Sequence, residues 1–362
     1  MFNNAYDNKK IIVTGHTGFK GSWLCSWLEM LGAKVCGVAL EMDTVPSHFD
    51  LLKPAFRSEI CDIRDREKIR RIFDDFQPDI VFHLAAQPLV RLSYTYPVET
   101  FEANVMGTVN VLDACRTTKS VKAIVAISSD KCYENREQIA GYREDDPMGG
   151  YDPYSASKGC TELVISSYRR SFFSTDEYGK SHFALLASGR AGNVIGGGDW
   201  AVDRLVPDIM RAAAAKKEAV IRSPKSVRPW QHVLEPLSGY LLLGERLLAG
   251  DTTAAEAWNF GPDNDGIICV EDAANELKKY WDAIKIKVDP PENQPHEAKL
   301  LRLDCSKARK QLAWHGVLSA QQTFEMTAAW YRDFYNEEKI TTFRQIEQYI
   351  EFAQQRGLSW TK

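Results

Sequence analysis

The chain has 362 residues, 44% of them hydrophobic and 26% charged, with a formal net charge of −4. This is an ordinary globular composition, long enough for one large domain or two modest ones, and its near-neutral balance argues against a general nucleic-acid or membrane-surface role. No apolar run approaches a membrane span, and the polar stretch Met1 to Lys10 lacks the apolar core of a secretion signal. The eight cysteines are scattered, without a CxxC pair or a neighbouring histidine cluster, which argues against zinc and a disulfide framework and predicts a reducing cytoplasm.

In chain order, Lys10 to Thr14 reads as a strand, Phe19 to Leu31 as a helix, and Lys34 to Leu40 and Phe56 to Cys61 as strands. A helix over Asp65 to Phe76, a strand over Ile80 to Leu84, a long helix over Glu99 to Thr117 and a strand over Val121 to Ile127 follow. Tyr154 to Arg170 reads as helical and His182 to Leu186 as a sixth strand. Strands alternating with helices imply right-handed crossovers and a parallel sheet covered on both faces. The expected fold class is therefore α/β, a Rossmann-type doubly wound sheet over residues 1–188. After about Gly189 the pattern changes to longer connections and helices over Leu205 to Lys216, Val233 to Leu248, Val270 to Asp282, Gln321 to Tyr335 and Thr342 to Gln355. Residues 189–362 thus read as a smaller, mainly helical substrate region, with the chain crossing between the two parts.

The turn Thr14-Gly15-His16-Thr17-Gly18-Phe19-Lys20-Gly21 joins the first strand to the first helix. Its glycines allow a tight turn and a close approach by a pyrophosphate, and the helix N-terminus supplies unpaired N–H groups. Three glycines alone also suit a plain strand-to-helix turn; the strand–turn–helix context favours a dinucleotide. Asp62, after the third strand, can bond an adenine amino group. Glu41, just past the second, is placed either for a ribose or as a solvated loop charge. No arginine follows the second strand closely to receive a 2′-phosphate, which favours NAD over NADP.

Tyr154 and Lys158 lie four apart, hence on one face of a helix. That spacing by itself belongs to many surface helices. Beside the glycine turn, it allows the lysine to lower the phenol pKa so that Tyr154 can take a hydroxyl proton as hydride leaves the carbon. The fifth strand ends in Ser128-Ser129-Asp130-Lys131, at the carboxyl edge where such sheets bind ligands, although a turn capped by its own serine and aspartate has the same composition. Asn193 can bond a diphosphate, Arg228 a phosphate or ribose, and Arg302 is a weaker candidate. Trp200 and Trp230 suit base stacking or the core equally. His83 reads as structural, and Cys132 has no partner that would make it a nucleophile.

Taken together, Thr14 to Gly21, Asp62-Ile63, His83-Leu84-Ala85-Ala86-Gln87, Asn104, Ser129 and the Tyr154/Lys158 pair resemble the extended short-chain dehydrogenase/reductase family, over nearly the whole chain. Within that family the chain looks like a nucleotide-sugar 4,6-dehydratase. An Asp-Glu pair usually follows the Ser or Thr of the fifth strand in those enzymes. Asp130-Lys131 departs from it in the manner of the dehydratases acting on CDP-glucose. Arg228-Pro229-Trp230-Gln231-His232-Val233 and His296-Glu297-Ala298 with Leu303-Asp304 look like the same group.

The resemblance implies an NAD site formed by Gly15, Thr17, Gly18, Phe19, Gly21, Asp62, Ile63, Leu84, Ala85, Ala86 and Asn104, with Tyr154 and Lys158. It implies a nucleotide-sugar site formed by Gln87, Ser129, Arg190, Asn193, Arg228 and Arg302. It also implies a redox-neutral cycle: oxidation at C4, loss of water across C5 and C6, and return of hydride to C6, in deoxysugar synthesis of the O-antigen type. Ser129 would orient the 4-hydroxyl, Asp130 act as acid at the 6-hydroxyl and Lys131 help remove the C5 proton. The helices Glu99 to Thr117 and Tyr154 to Arg170 are the pair that dimerises in this family, which implies a homodimer or homotetramer. The alternatives on the same fold are a 4,6-dehydratase of another nucleotide-glucose, a nucleotide-sugar 4-epimerase and a non-catalytic nucleotide-binding protein.

Overall fold

The computed structural model describes residues 1–42, 44–289 and 300–362. Seven strands form the central sheet: β1 (Lys10–Thr14), β2 (Lys34–Ala39), β3 (Arg57–Ile60), β4 (Ile80–His83), β5 (Ala123–Ile127), β6 (Leu185–Ala191) and β7 (Ala257–Phe260). They lie in the order β7-β6-β5-β4-β1-β2-β3, every pairing parallel. β4 to β7 are buried at every residue, which is why they read as continuous apolar or small-residue runs and not as alternating ones. Strand order reverses between β1 and β4, and ligands of such sheets bind at the carboxyl ends beside that switch point.

Helices Phe19–Met30, Arg66–Phe76, Gly107–Thr117 and Pro153–Ser171 cover the sheet. Two of their starts are set locally, where Asp65 accepts from the Lys68 N–H and Asp152 from the Ser155 N–H. The expected helix over Glu99 to Thr117 starts at Pro97 and is interrupted by a π-turn at Glu102–Met106. The sixth strand lies later than expected. Its Ala-Ser-Gly-Arg stretch has little strand propensity, and pairing to β5 and β7 makes it extended.

β7 was not foreseen, and it ties the two halves together. Helix Leu234–Leu248 packs on β5 and β6. One core then runs from Val125 and Leu185 through Leu237, Tyr240 and Trp258 to Trp314 and Trp330. A boundary at residue 188 therefore falls inside β6. The second half also holds three two-stranded sheets that the mainly helical reading missed: Val194–Ile195 with Gln231–His232, Val227–Pro229 with Ile267–Cys269, and Glu218–Ile221 with Lys285–Val288. Its five expected helices are present as Leu205–Ala214, Leu234–Leu248, Val270–Lys278, Ala320–Glu337 and Thr342–Gln355.

Candidate active site

A cleft of about 1490 Å3 runs along the carboxyl edge of the sheet. That exceeds the roughly 300–1,000 Å3 of a site for one small ligand and leaves room for a dinucleotide and a second molecule. One wall is the glycine turn. Gly15 has φ +77°, and a Cβ there would stand 2.8 Å from the Ala85 amide nitrogen. A Cβ on Gly21 would stand 2.1 Å from the Gly15 carbonyl oxygen. Only bare backbone fits either position. Gly18 caps helix Phe19–Met30 without a side-chain hydrogen bond, so the first-turn N–H groups are left for a ligand. Thr17 donates to the Leu40 carbonyl at 3.1 Å and fixes the turn to the end of β2.

Asp62, Ile63 and Glu41 line the same end. Arg64 holds the Asp62 carboxylate at 2.7 and 3.0 Å and keeps it below the usual carboxylate range. The loop after β4 is locked by Thr14, whose hydroxyl accepts from Leu84 N (3.1 Å) and Ala85 N (3.2 Å) and pairs with His83 Nδ1 at 2.7 Å. His83 is a buried brace, held neutral by burial with its pKa at about 3.

Three expected contacts are corrected here. Asn104 does not line the cleft. It accepts from Gln87 N (2.8 Å) and donates to the Gln87 carbonyl (3.1 Å) and to Ser157 Oγ (2.8 Å), bracing the loop against the catalytic helix. Arg190 lies beneath the cleft floor, where Nη2 pairs with Glu162 at 2.8 Å and Nη1 donates to the Tyr133 hydroxyl (2.7 Å) and the Glu144 carbonyl (3.0 Å). Its strand direction sends it into the core. Arg302 donates to Asn264 at 2.9 Å and is also outside the cleft lining. Gln87 does line the cleft, but its amide is spent on Leu89 in its own loop and on Thr100 in the helix that starts at Pro97. His296-Glu297-Ala298 lie outside the described residues.

The centre is built from two elements. The turn after β5 carries Ser129, Asp130 and Lys131, and helix Pro153–Ser171 carries Tyr154 and Lys158; all five line the cleft. Ser129 Oγ accepts from Lys131 N at 3.2 Å and donates to Asp130 Oδ1 at 2.8 Å. Burial raises the Asp130 pKa, against the pull of Lys131, Ser129, Lys20 and Arg228. Its Oδ2 is buried without a partner among the described residues. Burial likewise pushes Tyr154 up to about 12, opposed by a hydrogen bond with Ser129 and by the Arg204 guanidinium. The Lys158 ammonium is brought down to about 8 by burial, with Glu162 opposing. Lys158 therefore stands at a balance point, and the groups that temper Tyr154 are Ser129 and Arg204.

The substrate wall presents Asn193, Arg228 and Arg204. Arg228 is buried and donates to the Val227 carbonyl at 2.9 Å. Arg204, which sequence reasoning missed, bridges to Asp199 at 2.8 Å; a basic residue opening a helix just after a glycine-rich segment was the available signal. Lys20 also enters the site, its ammonium brought down to about 8 by burial and drawn back by Asp130. Trp200 donates to the Tyr335 hydroxyl and packs edge-on against Trp330, while Trp230 donates to the Ile268 carbonyl, so both are core residues bordering the cleft.

The sequence pattern of the family described as GDP-mannose 4,6 dehydratase matches residues 12–327. CDP-glucose 4,6-dehydratase of Salmonella typhimurium is 50% identical over 96% of this chain and 98% of its own. An epimerase of Methanothermobacter thermautotrophicus superposes with a TM-score of 0.78 at 23% identity, over 92% of this chain and 95% of its own. A Thermus thermophilus UDP-glucose 4-epimerase solved with NAD gives a TM-score of 0.76 at 23% identity, over 89% and 99%. The two epimerases share the fold; the match over residues 12–327 and the 50% identity establish that the chain belongs to the GDP-mannose 4,6 dehydratase family of extended short-chain dehydrogenases/reductases.

Proposed function

We propose that this protein is an NAD-dependent hydro-lyase that converts CDP-glucose to CDP-4-keto-6-deoxyglucose, a step of deoxysugar synthesis of the O-antigen type. One observation carries the reading: a buried carboxyl with an unpartnered oxygen, Asp130, sits beside Ser129 in a site that already holds Tyr154 and Lys158. A 4-epimerase needs the tyrosine and lysine but has no use for a further acid. A non-catalytic binding protein has no use for either. The choice of CDP-glucose follows the relative that is 50% identical and shares nearly its full length.

The bare cradle at Gly15, Gly18 and Gly21 suits a dinucleotide pyrophosphate, with Asp62 and Glu41 at the adenosine end and Ala85, Tyr154 and Lys158 toward the other. NAD, when bound, supplies the acceptor for the C4 hydride and its return to C6. Tyr154 takes the proton of the 4-hydroxyl, which Ser129 orients. The resulting ketone acidifies the C5 proton, Lys131 assists its removal, and Asp130 protonates the departing 6-hydroxyl. Arg228 and Asn193 hold the diphosphate. Val98, Phe101, Met106, Leu163 and Phe172 are exposed on the helical face around Pro97–Thr117 and Pro153–Ser171, an apolar patch suited to a homodimer or a dimer of dimers. Eight free cysteines suit the reducing cytoplasm.

Incubation with CDP-, dTDP-, GDP- and UDP-glucose tests the reading. CDP-glucose should lose one water and yield the alkaline absorbance of a 4-keto sugar; isomerisation without loss of mass would make the protein an epimerase, and no reaction with any of the four a binding protein. Lys131→Ala with deuterium at C5 tests the base: exchange and turnover should both fall, and unchanged values would remove Lys131 from that role.

A further inference from the structure

The groups of the proposed reaction come from two separate segments. Ser129, Asp130 and Lys131 lie in the turn after β5, and Tyr154 and Lys158 on helix Pro153–Ser171. They can act on one sugar only if the turn is held at a fixed place on the helix. The two segments meet closely. A Cβ on Gly159, the residue after Lys158, would stand 2.8 Å from the Gly149 carbonyl oxygen and 3.3 Å from that of Cys132. Close packing sets their separation, but only directional bonds stop the turn from sliding along the helix.

One carboxylate supplies those bonds. Glu162 lies four residues beyond Lys158 and eight beyond Tyr154, so the three share a helix face. An ionised carboxylate only accepts, and it has about four lone-pair sites. The Oε1 of Glu162 accepts from the hydroxyl of Ser128, the residue that enters the turn. Its Oε2 accepts from Ser188 Oγ at 3.0 Å and from Arg190 Nη2 at 2.8 Å, both on β6. Arg190 Nη1 donates to the hydroxyl of Tyr133, the residue that leaves the turn, at 2.7 Å. That hydroxyl donates to Asn259 Oδ1 on β7, also at 2.7 Å. The turn is thus pinned at both ends through one side chain of the helix. All six residues are buried, so bulk water does not compete for these bonds.

Stability alone does not call for such a set. Burying two ions carries a desolvation cost that their attraction barely returns, and well-packed apolar residues often serve stability as well or better. What apolar residues cannot supply is the register of the turn. We propose that Glu162 is a positioning residue of the reaction: through Ser128 at one end and through Arg190 and Tyr133 at the other, it fixes Asp130 and Lys131 relative to Tyr154 and Lys158, so that oxidation at C4 and elimination across C5 and C6 occur on one bound sugar. This rests on the dehydratase reading and extends it. Glu162 and Arg190 are outside the cleft lining and act through the residues that they hold.

Ser128→Ala and Tyr133→Phe each remove one pin and leave the ion pair in place. In both, kcat for CDP-glucose should fall at least about tenfold, because a shift near 1 Å is enough, while KM stays within about twofold, because Arg228 and Asn193 are untouched. The loss should fall on elimination, so reduced nicotinamide and a 4-keto sugar that keeps its 6-hydroxyl should accumulate during turnover. Wild-type kcat in both variants would overturn the proposal. The double variant Glu162→Met/Arg190→Met separates positioning from stability. Its urea midpoint should recover above that of Arg190→Met, while kcat stays at least as low as in the single-pin variants. Recovery of kcat together with the midpoint would reduce Glu162 to a structural residue. Wild-type protein that dehydrates no nucleotide-glucose would instead remove the dehydratase reading, a result distinct from either.

Discussion

The floor and the mouth of the cleft carry similar residue types and treat them differently. On the floor, Tyr154, Lys158 and Asp130 are almost fully buried, and burial dominates the pKa of each. At the mouth, Arg91 and Arg222 meet Asp203 at 3.2 Å, but their side chains are 46%, 35% and 42% exposed. Water screens such pairs, and their worth is small. On the floor each charge must find a partner or shift its protonation. The same chemistry is structural decoration at one end and mechanism at the other, and solvent access makes the difference.

The comparison can be broken in four places. Tyr154→Phe removes one buried hydroxyl and should lower kcat by about 10²–10⁴-fold with the fold intact; a smaller loss would move the proton chemistry elsewhere. Arg190→Met strands the Glu162 carboxylate beneath the floor and should cost about 3–5 kcal/mol of unfolding free energy by urea titration. A change within error would mean that Ser128 and Ser188, which also bond Glu162, satisfy it alone.

The third concerns pH. Burial lowers His48, His83 and His232 from 6.5 to about 3. Between those values the folded chain binds fewer protons than the unfolded one. Stability is therefore full above pH 6.5 and declines as pH falls, by up to about 1.4 kcal/mol per histidine per pH unit. Urea midpoints at pH 7 and 5.5 should differ accordingly, and equal midpoints would mean that these rings charge without unfolding. At the mouth, Arg91→Ala should change stability by less than about 1 kcal/mol. A larger thermal shift would show that the Asp203 pair is sheltered and would erase the contrast.

Sequence patterning by itself determined five of the seven central strands and the first two residues of the sixth, the crossover helices and the pairing of the glycine turn with Tyr154 and Lys158, because these depend on short-range periodicity and on chemistry carried by contiguous residues. It also located Ser129, Asp130 and Lys131, since the end of a buried strand can be read locally. Tertiary structure alone decided the rest. β7 is a strand because β6 offers it a partner, and the Ala-Ser-Gly-Arg end of β6 is extended for the same reason. Arg190 and Asn104 carry polar groups suited to a ligand, yet one faces Glu162 under the floor and the other spans Gln87 and Ser157. Arg204 enters the site from a distant segment, and Lys20 turns from the glycine turn toward Asp130, a contact that only packing decides. Residue type fixes what a side chain can bond; which partner it meets, and how much water remains around it, is settled only when distant segments pack.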